Sequence, residues 1–381
     1  MVSHKTLATL LLLGTCLSQV SCWRLLMSLA QNQDPGPDRA QLLTVVHQYG
    51  EGRQPSQLAA ELSADAAAAA PTATLEDTAT YHREIAATFN EWDFAKLETE
   101  VREARAGKGR LLGGPWKLSE FYDVVSEPAA GSGATETEWA NQFETLKKWK
   151  EAQPSSAASQ IALAQADVNY GWRIRGDGYG SSVTSGQWRA FSARLGMAAT
   201  ALVEAAKLKE KCPYWYEAMQ EVAMGQGWTK PQARELFDQA AAFEPTFHMF
   251  YREYATYLLP KWYGEPGEGA AFAKEATDRV GGRQGDLIYF EIASISICSC
   301  ESDKPSMANW SWPRIRSGYA SLNQFYGTND VKANRYALMA YAADDKASAR
   351  EAFATVGNDK SSGIWRSEQS FEDTKVWANS Q

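Results

Sequence analysis

The chain predicts an all-α fold made of helical hairpins stacked side by side. From residue 157 onward, apolar and small residues recur in paired, helix-sized blocks broken by Gly or Pro. Within residues 212–245, Ala233, Phe237, Ala240 and Pro245 stand at the offsets of the second helix of a tetratricopeptide-like repeat. Small residues there let two helices approach, and the aromatic fills the gap between them. A shift of 32 residues sets Pro213 over Pro245, Trp215 over Phe247, Met219 over Tyr251 and Ala223 over Ala255. One hairpin cannot bury its own apolar face, so a period close to the ~34 residues of such repeats implies an array. The expected architecture is tetratricopeptide-like hairpins in an open right-handed superhelix with an N-terminal helical cap. Abundant Ala and scarce alternating β-branched runs point the same way.

Residues 1–22 read as an export signal of the secretory or lipoprotein type. Lys5 precedes an apolar run over residues 7–17, followed by small polar residues. That run is too short for a membrane span. Val20, Ser21 and Cys22 resemble the end of a lipoprotein signal, which makes Cys22 the candidate lipidation site, although Gln19 stands where Leu is usual. The expected location is the periplasm, free or lipid-anchored at the cell envelope.

Residues 23–78 read as a low-complexity tether carrying one short helix over 42–49, with Gln, Asp, Pro and Gly near 31–38 and an Ala-dominated stretch at 65–73. The cap occupies 79–150. Ile85, Phe89, Phe94, Leu97 and Val101 line one side of a hairpin that Gly113, Gly114 and Pro115 terminate. Trp116 opens the next helix, and Trp139, Phe143, Leu146 and Trp149 recur at helical spacing beyond a Gly/Ala/Ser loop. The repeat domain, 151–379, divides into hairpins near 157–208, 213–243, 246–279, 286–324 and 332–356, closed by a helix at 368–377.

Composition limits function. Lys and Arg number 38 against 46 Asp and Glu, a net charge of −8 without basic blocks. Phosphate backbones and anionic headgroups repel such a chain, which excludes nucleic acid as its partner. Outside the leader the histidines are His47, His82 and His248. His82-Arg-Glu84 has the H-x-E of zinc deaminases without their P-C-x-x-C, so it reads as a solvated helix start. His248, among aromatics, reads as a hydrogen-bonded histidine on a packed helix. Cys298 and Cys300 are two apart and point to different sides of a helix, so no metal site is expected. A Cys212 bridge to one of them and three free buried thiols both remain open. No G-x-S-x-G elbow occurs, the carboxylates fall on ordinary helix faces, and neither catalytic residue nor cofactor is assigned.

The segment Trp172-Arg-Ile-Arg175-Gly176-Asp-Gly178-Tyr179, together with Gly225-Gln-Gly227-Trp228, the turn Leu258-Leu-Pro260-Lys-Trp262-Tyr-Gly264-Glu-Pro266-Gly267, and Gly113-Gly-Pro-Trp116-Lys-Leu118, resembles the bacterial domain of unknown function 4034 family over residues 89–377. The resemblance implies a helical, repeat-like fold and carries no activity.

The glycine loop 176–186 is the most conspicuous local feature. Ordering so long a connection costs entropy that a purely structural turn would avoid. Arg173, Arg175, Gly176, Gly178 and Tyr179, with Trp228 and Trp262 at neighbouring turns, are therefore the candidate binding residues. They are expected at the rim of the largest groove, where Arg and aromatics would anchor a protein or peptide. The expected function is an exported, non-catalytic scaffold that binds such a partner. The alternative is an α/α-toroid carbohydrate-active enzyme, which secreted, Trp-rich, all-helical chains also build.

Overall fold

A computed structural model describes residues 36–51, 75–178, 180–298, 304–357, 360 and 363–380. Among them the fold is all-α, with sixteen α-helices and two short 3-10 turns. The single β feature is an isolated bridge between Arg110 and Trp116.

The first helix, α1 (Arg39–Tyr49), is capped by Asp38 in a capping box with Gln41. Residues 23–78 were expected to be a tether with one short helix over 42–49; that helix is α1, packed into the core rather than tethered, while residues 23–35 and 52–74 lie outside the described residues. Leu42, Val46 and Tyr49 are buried, and the Tyr49 ring stacks on Trp215 with centroids 4.0 Å apart. Its hydroxyl donates to Cys212 O at 3.2 Å and accepts from Cys212 N at 2.8 Å. Three apolar side chains at helical spacing made this helix cohesive with the core, while its polar, Pro- and Gly-rich neighbours concealed it. Cys212 is a buried free thiol, which removes it from any bridge. The Cys298 side chain, Cys300 and Cys22 lie outside the described residues.

Helices α2 (Thr78–Asn90), α3 (Phe94–Gly107), α4 (Lys117–Ser126) and α5 (Glu136–Ala152) form the N-terminal part. The expected hairpins follow as α6 (Ala157–Arg175) with α7 (Ser185–Lys207), α8 (Tyr214–Gly225) with α9 (Lys230–Phe243), α10 (His248–Tyr257) with α11 (Glu268–Val280), α12 (Gly282–Cys298) with α13 (Trp312–Tyr326), and α14 (Asp330–Ala342) with α15 (Lys346–Val356). The last helix is α16 (Glu368–Asn379). Their starts follow local chemistry. Asp, Ser, Thr or Asn side chains accept from the exposed N–H groups of the first turns of α2, α3, α5, α6, α7, α14, α15 and α16, while Pro231 and Pro313 occupy first-turn positions that need no donor.

The even-numbered helices form one row: α2 touches α4, and contacts continue from α4 through α6, α8, α10, α12 and α14 to α16. The odd-numbered helices from α3 onward pack against this row, and α1 packs on α7 and α9. This is the neighbour-to-neighbour pattern of a helical repeat, and it runs without a break across residue 150. Gly318 sets the spacing of one seam, because a Cβ there would stand 2.2 Å from Asp286 O on α12.

One connection goes beyond neighbours. The turn before α4 reaches the C-terminal hairpins, with Gly113 N donating to Tyr326 O at 3.1 Å and Asn329 Nδ2 donating to Leu112 O at 3.0 Å. The Arg110 guanidinium lies 3.3 Å from the Trp116 ring centre and 5.4 Å from that of Tyr326. Gly113, at φ +84, has no room for a side chain against Asn329.

Candidate functional site

The even-helix row carries most of the buried ionisable groups, and they divide into two regions. In the first, Glu217 and Glu221 lie four apart on α8, hence on one side of it, beside Asp123 of α4 and Glu253 of α10. Ser119 Oγ donates to Glu217 at 3.1 Å, and Gln165 Nε2 donates to both Glu221 oxygens at 3.1 and 3.2 Å. Burial raises all four carboxyls, and so does their mutual repulsion at Asp123, Glu217 and Glu221. Glu253 is pushed up to about 7 by burial, against the pull of Arg252. Asp123 is nevertheless exposed, and Glu221 and Glu253 are half-buried. Glu217 is buried, so the four carboxyls run from the core to the surface of this face.

The second region starts one residue along α10. Arg252 Nη1 meets Glu291 Oε2 of α12 at 2.6 Å, and Lys332 Nζ of α14 meets the two Glu291 oxygens at 2.6 and 2.8 Å. Arg252 and Arg335 both donate to Ser294 Oγ at 3.2 Å. Ser294 thereby accepts from two guanidinium groups that repel each other. Burial would raise Glu291, but Lys332 and Arg252 overcome it and hold the carboxyl well below its usual range. Burial, with Arg252 and Arg335 adding to it, lowers Lys332 to about 8 even though Glu291 opposes the shift. His248, the first residue of α10, is lowered to about 3, chiefly by burial and then by Arg110. It is neutral, and its Nε2 is buried without a hydrogen-bond partner. These groups line a cavity of about 750 Å³. Its far wall holds His82, whose Nε2 lies 2.6 Å from Glu120 Oε2, so His82 joins two helices where a solvated helix start was expected.

The residues singled out in the sequence lie elsewhere. Arg173 bonds Glu136 Oε1 at 2.7 Å and Ala134 O at 2.9 Å, which ties α6 to the start of α5. Arg175 is buried and donates to Gly176 O and Gly178 O at 2.9 and 3.0 Å. Gly176, at φ +76, ends α6, and Gly178 is exposed; Tyr179 lies outside the described residues. Trp228, expected at the surface, is fully buried, donates to Gln226 Oε1 at 3.0 Å and accepts from Tyr257 at its carbonyl. An aromatic beside a turn has plugged the gap between helices. Trp262 is partly buried, 5.4 Å from Trp172 in an edge-on contact, and its ring centre lies 5.1 Å from the Arg175 guanidinium. The structure therefore gathers Arg175, Trp172, Trp188 and Trp262, and leaves Arg173 and Trp228 apart from them.

Among the described residues, the loop does not line the groove of about 1040 Å³ that begins at Trp188 on α7 and runs past Leu195, Met197 and Thr200 to Gly36 and Arg39. Arg173 and the Nη1 of Arg175 donate to the fold itself, while Arg175 Nε is buried without a hydrogen-bond partner. Glu291 and Ser294 did leave a trace in the sequence, since they interrupt an otherwise apolar run on α12.

Among the described residues, no set of His, Cys, Asp and Glu side chains is grouped to hold a metal ion, and no helix is long and apolar enough to cross a membrane. The class these observations define is an all-α protein of stacked helical hairpins. Comparison with protein-family models, with curated proteins and with solved structures returned no match.

Proposed function

We propose that this chain is an exported, non-catalytic helical-repeat scaffold, kin to the domain of unknown function 4034 family, that binds a protein or peptide along the face of its even-numbered helices. The observation that carries this reading is the cluster of Asp123, Glu217, Glu221 and Glu253, three of which reach water. Carboxyls crowded so that they raise one another favour a ligand that brings positive charge, and a continuous helix row offers an extended peptide several turns of contact. The partner is accordingly a segment rich in Lys or Arg. Fluorescence anisotropy with labelled Lys/Ala, Glu/Ala and Ser/Ala peptides of equal length tests it. The basic peptide binds, salt weakens it, and the Asp123→Asn/Glu253→Gln double variant binds it about tenfold less tightly. Equal binding of all three peptides, or none, overturns the reading.

The leader supports export to the periplasm or a lipid anchor at the envelope through Cys22. Mass spectrometry of envelope-purified protein is expected to find a mature start between Gln19 and Trp23, or lipid on Cys22; an intact Met1 overturns export. The alternative carbohydrate-active enzyme draws on one observation, a half-buried carboxyl raised to about 7, which suits a general acid. Release of reducing sugar from a polysaccharide panel, abolished by Glu253→Gln, would establish it in place of the scaffold.

A further inference from the structure

The groove of about 1040 Å³ beside α7 presents apolar surface with a balanced set of charges. Among the described residues five large hydrophobic side chains are exposed, and two of them, Trp188 and Met197, line this groove together with Leu163 and Leu195. Its charged residues are Asp38, Asp167 and Glu204 against Arg39, Lys150 and Arg189, three of each sign, so charge selects neither a basic nor an acidic occupant. What remains is apolar area and shape. Ser192, Gly196 and Thr200 follow one another at four-residue steps on α7 and all line the groove, which leaves a channel of small side chains into which a second helix can settle closely.

The chain itself leads into this channel. Gly36 lies on α7, where a Cβ would stand 2.8 Å from Gly196 O, and Arg39 Nη2 donates to Gln226 O at 2.6 Å, which fixes the start of α1 at the same edge. The preceding residues lie outside the described residues, and in sequence they are Trp23-Arg-Leu-Leu-Met-Ser-Leu-Ala30 followed by Gln31 to Pro35. Trp23, Leu26, Met27 and Ala30 recur at i, i+3, i+4 and i+7, the spacing of one apolar helix stripe. Five residues separate Ala30 from Gly36, a reach of up to about 20 Å. The eight residues from Gly196 back to Trp188 cover about 12 Å of α7. The stripe can therefore reach both exposed side chains, and so short a link holds it beside them at an effective concentration of roughly millimolar order.

We propose that residues 23–30 dock as an amphipathic helix in this groove, with Trp23, Leu26, Met27 and Ala30 packed against Trp188, Met197 and the small-residue channel of α7. The groove is then a seat for the chain's own segment, and it holds the end nearest the leader against the α7 face. The proposal does not depend on the basic-peptide reading, which concerns the even-numbered helices. Nor does it depend on the export reading, because residues 23–30 remain in the chain wherever between Gln19 and Trp23 the leader ends.

Hydrogen/deuterium exchange of the full chain, read by mass spectrometry on fragments covering residues 23–35, tests it against a synthetic peptide of the same residues. The native segment is expected to exchange at least tenfold more slowly than the free peptide. Met197→Glu and Ser192→Arg, both at exposed positions of α7, are each expected to remove most of that protection, and Leu26→Asp on the segment to do the same. A melting curve confirms that each variant is folded. Exchange equal to that of the free peptide overturns the proposal, and so does protection that folded Met197→Glu and Ser192→Arg proteins both leave unchanged, which would put the segment elsewhere. Protection that fades on dilution assigns the groove to a second copy, and protection that appears only with added lipid vesicles assigns the segment to a membrane surface. Either result overturns docking within one chain.

Discussion

Arg252 and Glu253 are neighbours on α10, yet they belong to opposite electrostatic regions of one helix row. On the Glu253 side, carboxyls from α4, α8 and α10 face one another and are driven up. On the Arg252 side, one buried carboxylate meets Arg252 and Lys332, and both it and the lysine are driven down. The side chains are of the same kinds and the helices of the same layer. What differs is whether opposite charges are brought together, as at Glu291, or like charges are crowded, as among Asp123, Glu217, Glu221 and Glu253.

The largest effect is expected where the charges are most buried. Glu291→Gln removes the carboxylate shared by Arg252 and Lys332 and leaves two cations facing each other, at a cost of about 3–5 kcal/mol. Urea denaturation measures it, and a loss below about 1 kcal/mol would mean that water already screens this region as it does the other. Gly318→Ala separates packing from charge. A Cβ 2.2 Å from Asp286 O forces α13 away from α12, the helix that carries Glu291, and overpacking of that sort costs about 1–3 kcal/mol. Its thermal midpoint falls at every pH, whereas the carboxyl variants act in a pH-dependent way.

Glu253→Gln probes the acidic side. A carboxyl raised from 4.5 to about 7 binds its proton more tightly in the native than in the unfolded state. Its contribution is fully present below about pH 4.5 and is lost as pH rises to about 7, so native stability falls across that window. The glutamine variant has no such group to ionise. It should be more stable than the native protein at pH 8, by about 1 kcal/mol given partial solvent access, and not at pH 4.5. Urea midpoints at the two pH values check this, and an unchanged difference between them would show that Glu253 does not share its charge with the quartet. The smallest effect is expected from His82→Ala, which removes a partly exposed pair with Glu120 and should cost below about 1 kcal/mol by the same measurement.

The helices were legible in the sequence because their signals are local. Periodic apolar positions, Asp and Thr caps and proline at first turns need only a few neighbours to act, so α6 to α16 begin and end close to where the pattern places them. Helix α1 was legible as a helix and illegible as core, because Leu42, Val46 and Tyr49 find their partners on α7, α8 and α9, far along the chain. The glycine loop misled for a related reason. Exposed loop backbone and nearby arginines suggested ligand contact, but Arg173 is held by Glu136, Arg175 is buried with its Nη1 on the loop's own carbonyls, and Trp228 is sealed beneath its turn.

The sequence by itself determined an all-α chain of paired helices, since hydrogen bonds four residues apart and side chains on one stripe are set by adjacent residues. Only the tertiary structure decided which charges meet. Arg252 and Glu291 are 39 residues apart, and Glu291 and Lys332 are 41. About one hairpin of chain separates each pair, so they face each other only once successive hairpins have stacked in register, and the burial that shifts their ionisation exists only in that assembled row.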